Sequence, residues 1–212
     1  MNHRKLIACV LTLLVCQVRL CAQYDFSLKC QEGQMLYYRI LPDGKSLRVT
    51  HPEAEWPYYT GNKPVGVVTV PGVVRWKGQV YEVTEIGEYA FYGCDSLTEV
   101  YPGFVRSIGT QAFCGCKSLT VIELNETVRS IGEGAFAYCE SIGRLVLPDE
   151  MEWIGISAFS MCRGLQMVKM SQQAEDVCDL TTFYGCPLMK DPKNRKKEDS
   201  GYIFWSVQGQ GE

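Results

Sequence analysis

The sequence predicts an α/β solenoid of about four to five rungs with one parallel sheet, because a single short phrase recurs along the chain. The phrases IGEYAFYGCDSL, IGTQAFCGCKSL, IGEGAFAYCESI and IGISAFSMCRGL align without gaps, and a degenerate fifth, VCDLTTFYGCPLM, follows them. A recurring phenylalanine defines the period, at Phe91, Phe113, Phe136, Phe159 and Phe183, with steps of 22, 23, 23 and 24 residues. One such unit cannot bury its apolar face alone, so neighbouring units must stack.

A column of cysteines follows the phenylalanines with the same steps. This structural ladder consists of Cys94, Cys116, Cys139, Cys162 and Cys186. The ladder spacing contains none of the C-x-x-C pairs that are typical of zinc or thioredoxin-like sites. Free cysteine behaves as a small buried hydrophobe, so we expect reduced thiols in the core. A rung spacing of about 4.8 Å leaves disulfides between neighbours as the alternative.

Each unit is expected to contain one strand and one helical turn. After each ladder cysteine comes an alternating run, such as Leu119, Ile122 and Leu124, which predicts a strand with one buried face. In the IGxxAF part, the glycine is typical of a tight turn, and the phenylalanine is expected to enter the core from a single helical turn. A period of this length with one strand per unit is the leucine-rich repeat signature.

The repeat resembles the BspA-like, Treponema-type leucine-rich repeat family, whose units read approximately IGxxAFxxCxSLxxVxLPxxV. The resemblance covers about half of the chain that remains after export. It implies a leucine-rich repeat fold and a secreted or cell-surface protein. It also implies a role in adhesion or attachment to host or extracellular proteins, without selecting a particular ligand.

Residues 1–22 have the features of a secretory signal peptide: a basic start, an apolar run over residues 6–15 and a small residue, Ala22, before the expected cleavage. The apolar run is too short to cross a bilayer, and no transmembrane segment is expected. A lipoprotein signal is disfavoured, because Val15 and Leu20 stand where such signals carry small residues. The predicted location is therefore outside the cell, on its surface or in the periplasm.

Residues 23–83 do not repeat but are predicted to be rich in β-strands. The phrases LYYRI, SLRVT, VGVVTV and QVYEV are separated by turn signals such as Pro-Asp-Gly and Lys-Gly. A solenoid end exposes apolar columns, so we interpret this segment as a cap on the solenoid of residues 84–190. An independent ligand-binding β-domain remains the alternative.

Residues 191–212 are predicted to form a charged linker followed by a capping strand. Five basic residues lie between Lys190 and Lys197, which indicates a solvated linker, with a patch for an anionic partner as the alternative. The apolar phrase YIFWSV at residues 202–207 would promote aggregation if it were exposed. We therefore expect it to dock on the last rung.

The composition speaks against several kinds of chemistry. After export the chain keeps one histidine, His51, which is predicted to be a surface residue, so no two-histidine zinc site can form. No metal, cofactor or catalytic residue is predicted. Cys114 is expected to point outward and is the one candidate for a reactive thiol. The formal charge of −3 becomes more negative when the basic signal segment is removed, which argues against a nucleic-acid partner.

The outward side of the predicted sheet is the candidate binding surface. If Val100, Ile122, Leu145 and Val168 point into the core, alternation turns their neighbours outward. The outward columns are Glu99, Val121, Arg144 and Met167, and Tyr101, Glu123, Val146 and Lys169, with Trp153 expected to extend them. Aromatic, Met and Arg residues are enriched in interfaces.

The leading hypothesis is a non-enzymatic secreted or surface-exposed module that binds a protein through this sheet face. The alternative is a periplasmic scaffold or inhibitor that binds another exported bacterial protein. An enzyme is the third hypothesis, and the lack of a convergent polar cluster in the sequence weighs against it. The sequence leaves the partner's identity and the oligomeric state open.

We predict that export removes residues 1–22, with cleavage between Ala22 and Gln23. The short apolar run and the small residue before the cut favour this position. The intact mass of the exported protein checks the prediction. A lipid-modified mass that starts at Cys21, or retention of residues 1–22, would contradict it.

Overall fold

The computed structural model describes residues 23–198 and 201–207, in which strands predominate. The predicted signal peptide at residues 1–22 lies outside these residues. The strands are β1 (Phe26–Lys29), β2 (Met35–Ile40), β3 (Ser46–Thr50), β4 (Gly66–Thr69), β5 (Val73–Trp76), β6 (Gln79–Ile86), β7 (Leu97–Tyr101), β8 (Ser107–Ile108), β9 (Val121–Ile122), β10 (Ser130–Ile131), β11 (Arg144–Val146), β12 (Trp153–Ile154), β13 (Met167–Met170), β14 (Arg195–Lys197) and β15 (Ile203–Ser206).

Helix is rare in the described part of the chain. Within residues 23–198 and 201–207, one α-helix, α1, spans Gln172–Asp176, and two short 3-10 helices cover Pro187–Lys190 and Pro192–Asn194. The predicted α/β class is therefore wrong in its helical half. The IGxxAF segments instead form consecutive turns, such as the one in which Ala90 N donates to the Gly87 carbonyl. Backbone hydrogen bonds to the adjacent repeat take the place of a continued helix.

Each repeat contributes two strands where the sequence predicted one. The two residues before the glycine of each IGxxAF segment from the second to the fourth repeat form β8, β10 and β12, with the sequences Ser-Ile, Ser-Ile and Trp-Ile. These strands pair in parallel in the order β6-β8-β10-β12. The strand after the cysteine forms β7, β9, β11 and β13, and its pairs are also parallel. A strand of two residues is too short to show an alternating pattern, so the sequence does not predict it.

The strands form three sheets, so the prediction of one parallel sheet is also wrong. The largest has the order β1-β2-β3-β6-β8-β10-β12, with β5 added on β6. The strands after the cysteines divide between a sheet of order β4-β7-β9 and another of order β11-β13-β15-β14. The buried columns of the repeats lie in one continuous core cluster with the N-terminal strands.

The glycine of each IG pair permits the close approach of neighbouring repeats. A Cβ atom on Gly132 would lie 2.5 Å from the carbonyl carbon of Gly109, and one on Gly155 would meet the backbone of Glu133. Neither Gly132 nor Gly155 has a positive φ. Each glycine does begin a turn, as expected, since Ala135 N donates to the Gly132 carbonyl. The close approach of the neighbouring backbone, rather than the turn conformation, is what excludes a side chain.

The five phenylalanines form a continuous stack through the core. Neighbouring ring centroids lie 5.0, 5.1, 5.2 and 5.5 Å apart from Phe91 to Phe183, and the planes are within 14° of parallel. The backbone repeats the same geometry, since Phe113 N donates to Ala135 O at 2.7 Å and Phe136 N to Ala158 O at 2.7 Å. Each of the three middle rings thus packs on two neighbouring rings through dispersion and burial, and each terminal ring packs on one.

The ladder cysteines are buried free thiols in the structure, and four of them also act as hydrogen-bond donors. The Sγ of Cys116 donates to the Phe91 carbonyl at 3.1 Å, and that of Cys139 donates to the Phe113 carbonyl at 3.1 Å. The Sγ atoms of Cys162 and Cys186 donate to the Phe136 and Phe159 carbonyls at 3.2 Å. Each thiol therefore satisfies a buried carbonyl of the preceding repeat.

The degenerate fifth unit keeps the ladder but not the strand. Phe183 joins the aromatic stack, and Thr182 supplies the carbonyl that accepts from Phe159 N at 2.8 Å. After Cys186 the chain enters the 3-10 helix Pro187–Lys190. Proline lacks the backbone N–H that a ladder strand would need, and no strand of the fifth unit follows in the described residues.

The C-terminal apolar phrase docks on the last repeat, as predicted. Strand β15 pairs antiparallel with β13, and Ile203 is fully buried opposite Met170. The basic run is not a plain linker, because Arg195–Lys197 forms β14, the exposed edge strand beside β15. Arg195 pairs with Glu175 at 2.6 Å. At the other end, β3 pairs in parallel with β6, so the N-terminal strands continue the sheet of the repeats.

We predict that Phe136→Ala lowers the free energy of unfolding by about 3 to 5 kcal/mol, because it removes a fully buried ring from the middle of the stack. Tyr138→Ala, two residues away and 48% exposed, should cost much less. Denaturant unfolding of both variants measures the difference. Equal midpoints would contradict the register.

We also predict that the thiols react in two classes. Of the eight cysteines in the described residues, all free, seven are buried and Cys178 is half-buried. A small alkylating reagent should therefore label at most Cys178 in the native exported protein. Denaturation without reductant should then expose all eight. Mass spectrometry counts the labels, and any cysteine that needs reductant before it reacts is in a disulfide and refutes the prediction.

Candidate functional site

The outward residues of the strands that follow the cysteines form the candidate face. Val100, Ile122, Leu145 and Val168 are buried, so alternation turns the intervening side chains outward. Glu99 lies opposite Val121, and Arg144 lies opposite Met167. In the second column, Val146 lies opposite Lys169, while Tyr101 and Glu123 occupy the equivalent positions on β7 and after β9.

Two further strands extend this face beyond the repeats. Strand β4 places Val67 opposite Glu99 and Thr69 opposite Tyr101. At the other end, antiparallel pairing with β13 places Phe204 opposite Lys169 and Ser206 opposite Met167. These residues were not predicted as part of the face. Strands β4 and β15 lie outside the repeat, so the repeat pattern does not show which strand they pair with or in which register.

The face is divided between β9 and β11. Strand β9 pairs with β7, β11 pairs with β13, and no strand pairing joins β9 to β11 among the described residues. A groove of 310 Å³ occupies the division, and its lining residues are Thr120, Val121, Ile122, Glu123, Leu124, Arg144 and Val146. The groove therefore has aliphatic walls, with one carboxylate and one guanidinium.

Local contacts position the polar side chains of the face. The Tyr101 hydroxyl donates to Glu99 Oε2 at 2.8 Å, and this hydrogen bond to the carboxylate raises the pKa of Tyr101. Lys169 Nζ lies 3.9 Å from the ring centroid of Tyr202, an attractive cation–π contact. Val121 and Val146 are 40% and 38% exposed, so two aliphatic side chains face solvent between these charged groups.

Trp153 lies apart from these columns. It is 52% exposed on β12, where it pairs with Ser130 in the largest sheet. The columns belong to the other two sheets. The sequence did not show that Trp153 and the columns lie in different sheets, because the two strands of each repeat are defined by their pairing with neighbouring repeats.

Two residues expected at the surface are buried. Cys114 is 9% exposed, and burial raises the pKa of its thiol, so the expected outward, reactive cysteine is not found. His51 is 5% exposed, and its Nδ1 lies 2.5 Å from the Glu53 carbonyl oxygen. Burial lowers the pKa of His51, so its ring is neutral at pH 7. Cys114 and His51 are both buried by tertiary contacts, which their neighbours in the sequence do not indicate.

Within residues 23–198 and 201–207, no group of three His, Cys, Asp or Glu side chains is arranged to hold a metal ion. The helices of this same part of the chain are all too short or too polar to cross a membrane.

Asn125-Glu126-Thr127, which has the pattern of a glycosylation site, is a turn. Thr127 N donates to Asn125 Oδ1 at 2.9 Å, and the Asn125 amide donates to the Gly103 carbonyl.

Comparison with known proteins gives a family and a fold. Residues 82–195 match the family model of the BspA type leucine rich repeat region in six copies. A leucine-rich repeat protein from Bacteroides ovatus is 26% identical with a TM-score of 0.52, and the match covers 68% of this chain but 41% of that one. One from Bacteroides capillosus has the same identity and TM-score, and the match covers 68% of this chain and 98% of that one. No curated protein matches the sequence.

Proposed function

Because the chain belongs to the BspA type leucine-rich repeat family, we propose that it is a secreted or surface-exposed module that binds a protein through its divided sheet face. Leucine-rich repeat proteins typically act as binding modules without enzymatic activity. In this proposal the repeats form a solenoid, and residues 23–83 cap its first repeat. The solenoid provides a rigid support that holds the outward columns in fixed register.

The observation that carries the proposal is the composition of the face. Val121, Val146 and Met167 lie beside Arg144 and Glu123, so aliphatic surface and charges of both signs alternate over neighbouring strands. Met and Arg are enriched at the centres of interfaces, and tyrosine at position 101 adds a rigid amphipathic side chain. A partner that filled the 310 Å³ groove would bury aliphatic walls while pairing with its two charged groups.

Adhesion to a host or extracellular protein is the form of this function that we favour. The predicted signal peptide supports a location outside the cytoplasm. A periplasmic scaffold or inhibitor would use the same face for another exported bacterial protein. Protease accessibility on intact cells distinguishes the two, since a surface-exposed module is digested and a periplasmic one is protected.

To find and test the partner, the exported protein is used to capture proteins from a host matrix extract and from the organism's own envelope fraction. We predict that Tyr101→Ala, Arg144→Ala and Met167→Ala each weaken binding of the captured partner about tenfold, the scale of a truncated anchor residue. The thermal midpoints should change little, because these side chains are not in the core.

Tyr138→Ala is the matched control, since Tyr138 is an exposed aromatic side chain outside the columns. Unchanged binding by the three face variants, together with loss of binding on changes within residues 24–83, would place the function in the N-terminal strands instead.

A further inference from the structure

A second concave site lies where the N-terminal segment meets the first repeat. It is a cleft of 310 Å³, within the range of small-ligand pockets, and it shares no lining residue with the groove on the sheet face. Its walls include Tyr58, Tyr89, His51, Arg39 and Glu88. Aromatic rings and hydrogen-bonding groups of both kinds thus converge in one place.

The aromatic wall is held rigidly. The rings of Tyr58 and Tyr89 stack at 4.5 Å with an interplanar angle of 17°, and Tyr92 meets both edge-on. His51 packs on the ring of Tyr58 at 4.6 Å. The loop that carries Tyr58 is anchored by its neighbour, whose buried hydroxyl donates to the Ala90 carbonyl at 2.5 Å. A ligand would meet a site that is already formed.

Tyr89 occupies a backbone position that disfavours a large side chain. Its φ is 56°, and the equivalent positions in the next three repeats, Gln111, Gly134 and Ser157, also have positive φ. The fold thus imposes the left-handed conformation on this column, and glycine adopts it without steric cost. Replacing Tyr89 by glycine would therefore remove the ring without adding backbone strain.

The polar wall contains two arginines, Arg39 and Arg48, that lie close to each other. Arg39 lies directly opposite Arg48 on the paired strands β2 and β3, and like charges so placed repel each other. Glu85 pairs with Arg48 at 2.6 Å. Among the described residues no carboxylate forms a salt bridge with Arg39, whose Nη1 donates to Gln23 Oε1 at 3.4 Å. Arg39 therefore keeps donors directed to the cleft, and exposed Glu88 supplies acceptors.

We propose that this cleft binds a carbohydrate. A sugar ring has one face of C–H groups, which packs on an aromatic ring, and a rim of hydroxyls that both donate and accept hydrogen bonds. Tyr89 lines the cleft with one side of its ring stacked on Tyr58, and its other side suits the C–H face of the sugar. Arg39 and Glu88 suit the rim of hydroxyls. An aliphatic ligand would leave these polar groups unpaired, and a polyphosphate would meet the Glu88 carboxylate. The proposal is independent of the protein-binding face.

The test uses the exported protein on an array of defined neutral and uronic-acid-containing oligosaccharides, followed by calorimetric titration of the strongest binder. Tyr89→Gly removes the ring at a position where glycine is conformationally favoured, which offsets part of the lost stacking on Tyr58, so the variant should stay folded. We expect this variant to bind at least about tenfold more weakly. Arg39→Gln should weaken binding comparably without loss of stability, because it relieves the repulsion from Arg48.

Tyr138→Gly is the matched control. Tyr138 also has a positive φ, at 61°, in a column where Gly93, Gly115 and Gly185 stand, but it lies two repeats away from the cleft. Its binding should equal that of the parent protein. The proposal fails if no oligosaccharide binds, if Tyr138→Gly weakens binding as much as Tyr89→Gly, or if Arg39→Gln binds as the parent. Should Tyr89→Gly unfold, Arg39→Gln alone decides the outcome.

Discussion

The close approach of neighbouring repeats is the constraint on which the rest of the structure depends. The phenylalanine rings stack at 5.0 to 5.5 Å, near the strand spacing of a sheet, so backbone pairing and aromatic stacking have the same period. The glycine of each IG pair makes this spacing possible, because a Cβ on Gly155 would collide with the backbone of Glu133. A side chain at this glycine would push neighbouring repeats apart, and this would disturb the backbone pairing, the phenylalanine stacking and the thiol hydrogen bonds together.

The ladder thiols show why cysteine suits its column. Four of the ladder thiols are buried among apolar side chains and donate to a phenylalanine carbonyl of the preceding repeat, as Cys139 does to Phe113. Alanine would remove this second hydrogen bond of the Phe113 carbonyl, which also accepts from Cys116 N, and the thiol is less costly to desolvate than a hydroxyl. Burial also raises the pKa of Cys94 to about 12, so this thiol remains protonated at neutral pH.

The candidate sites lie where the regular stacking is interrupted. The sheet divides between β9 and β11, and the groove with Glu123 and Arg144 occupies that division. The aromatic cleft lies where the first repeat meets the loop carrying His51 and Tyr58. Regular repeats bury their apolar columns against one another, so concave surfaces with mixed chemistry arise at the interruptions and ends.

The sequence by itself determined the period, the Phe and Cys columns, the buried register of Val100 to Val168, and the docking of the C-terminal strand. These features follow from apolar residues that recur or alternate along the chain, because the residues at those positions are the ones that become buried. Only the tertiary structure decided the second strand of each repeat, the division of the sheet, the burial of His51 and Cys114, and the placement of Trp153 in another sheet. Each of these depends on which distant backbone or side chain covers a residue, and that contact leaves no periodic trace in the sequence.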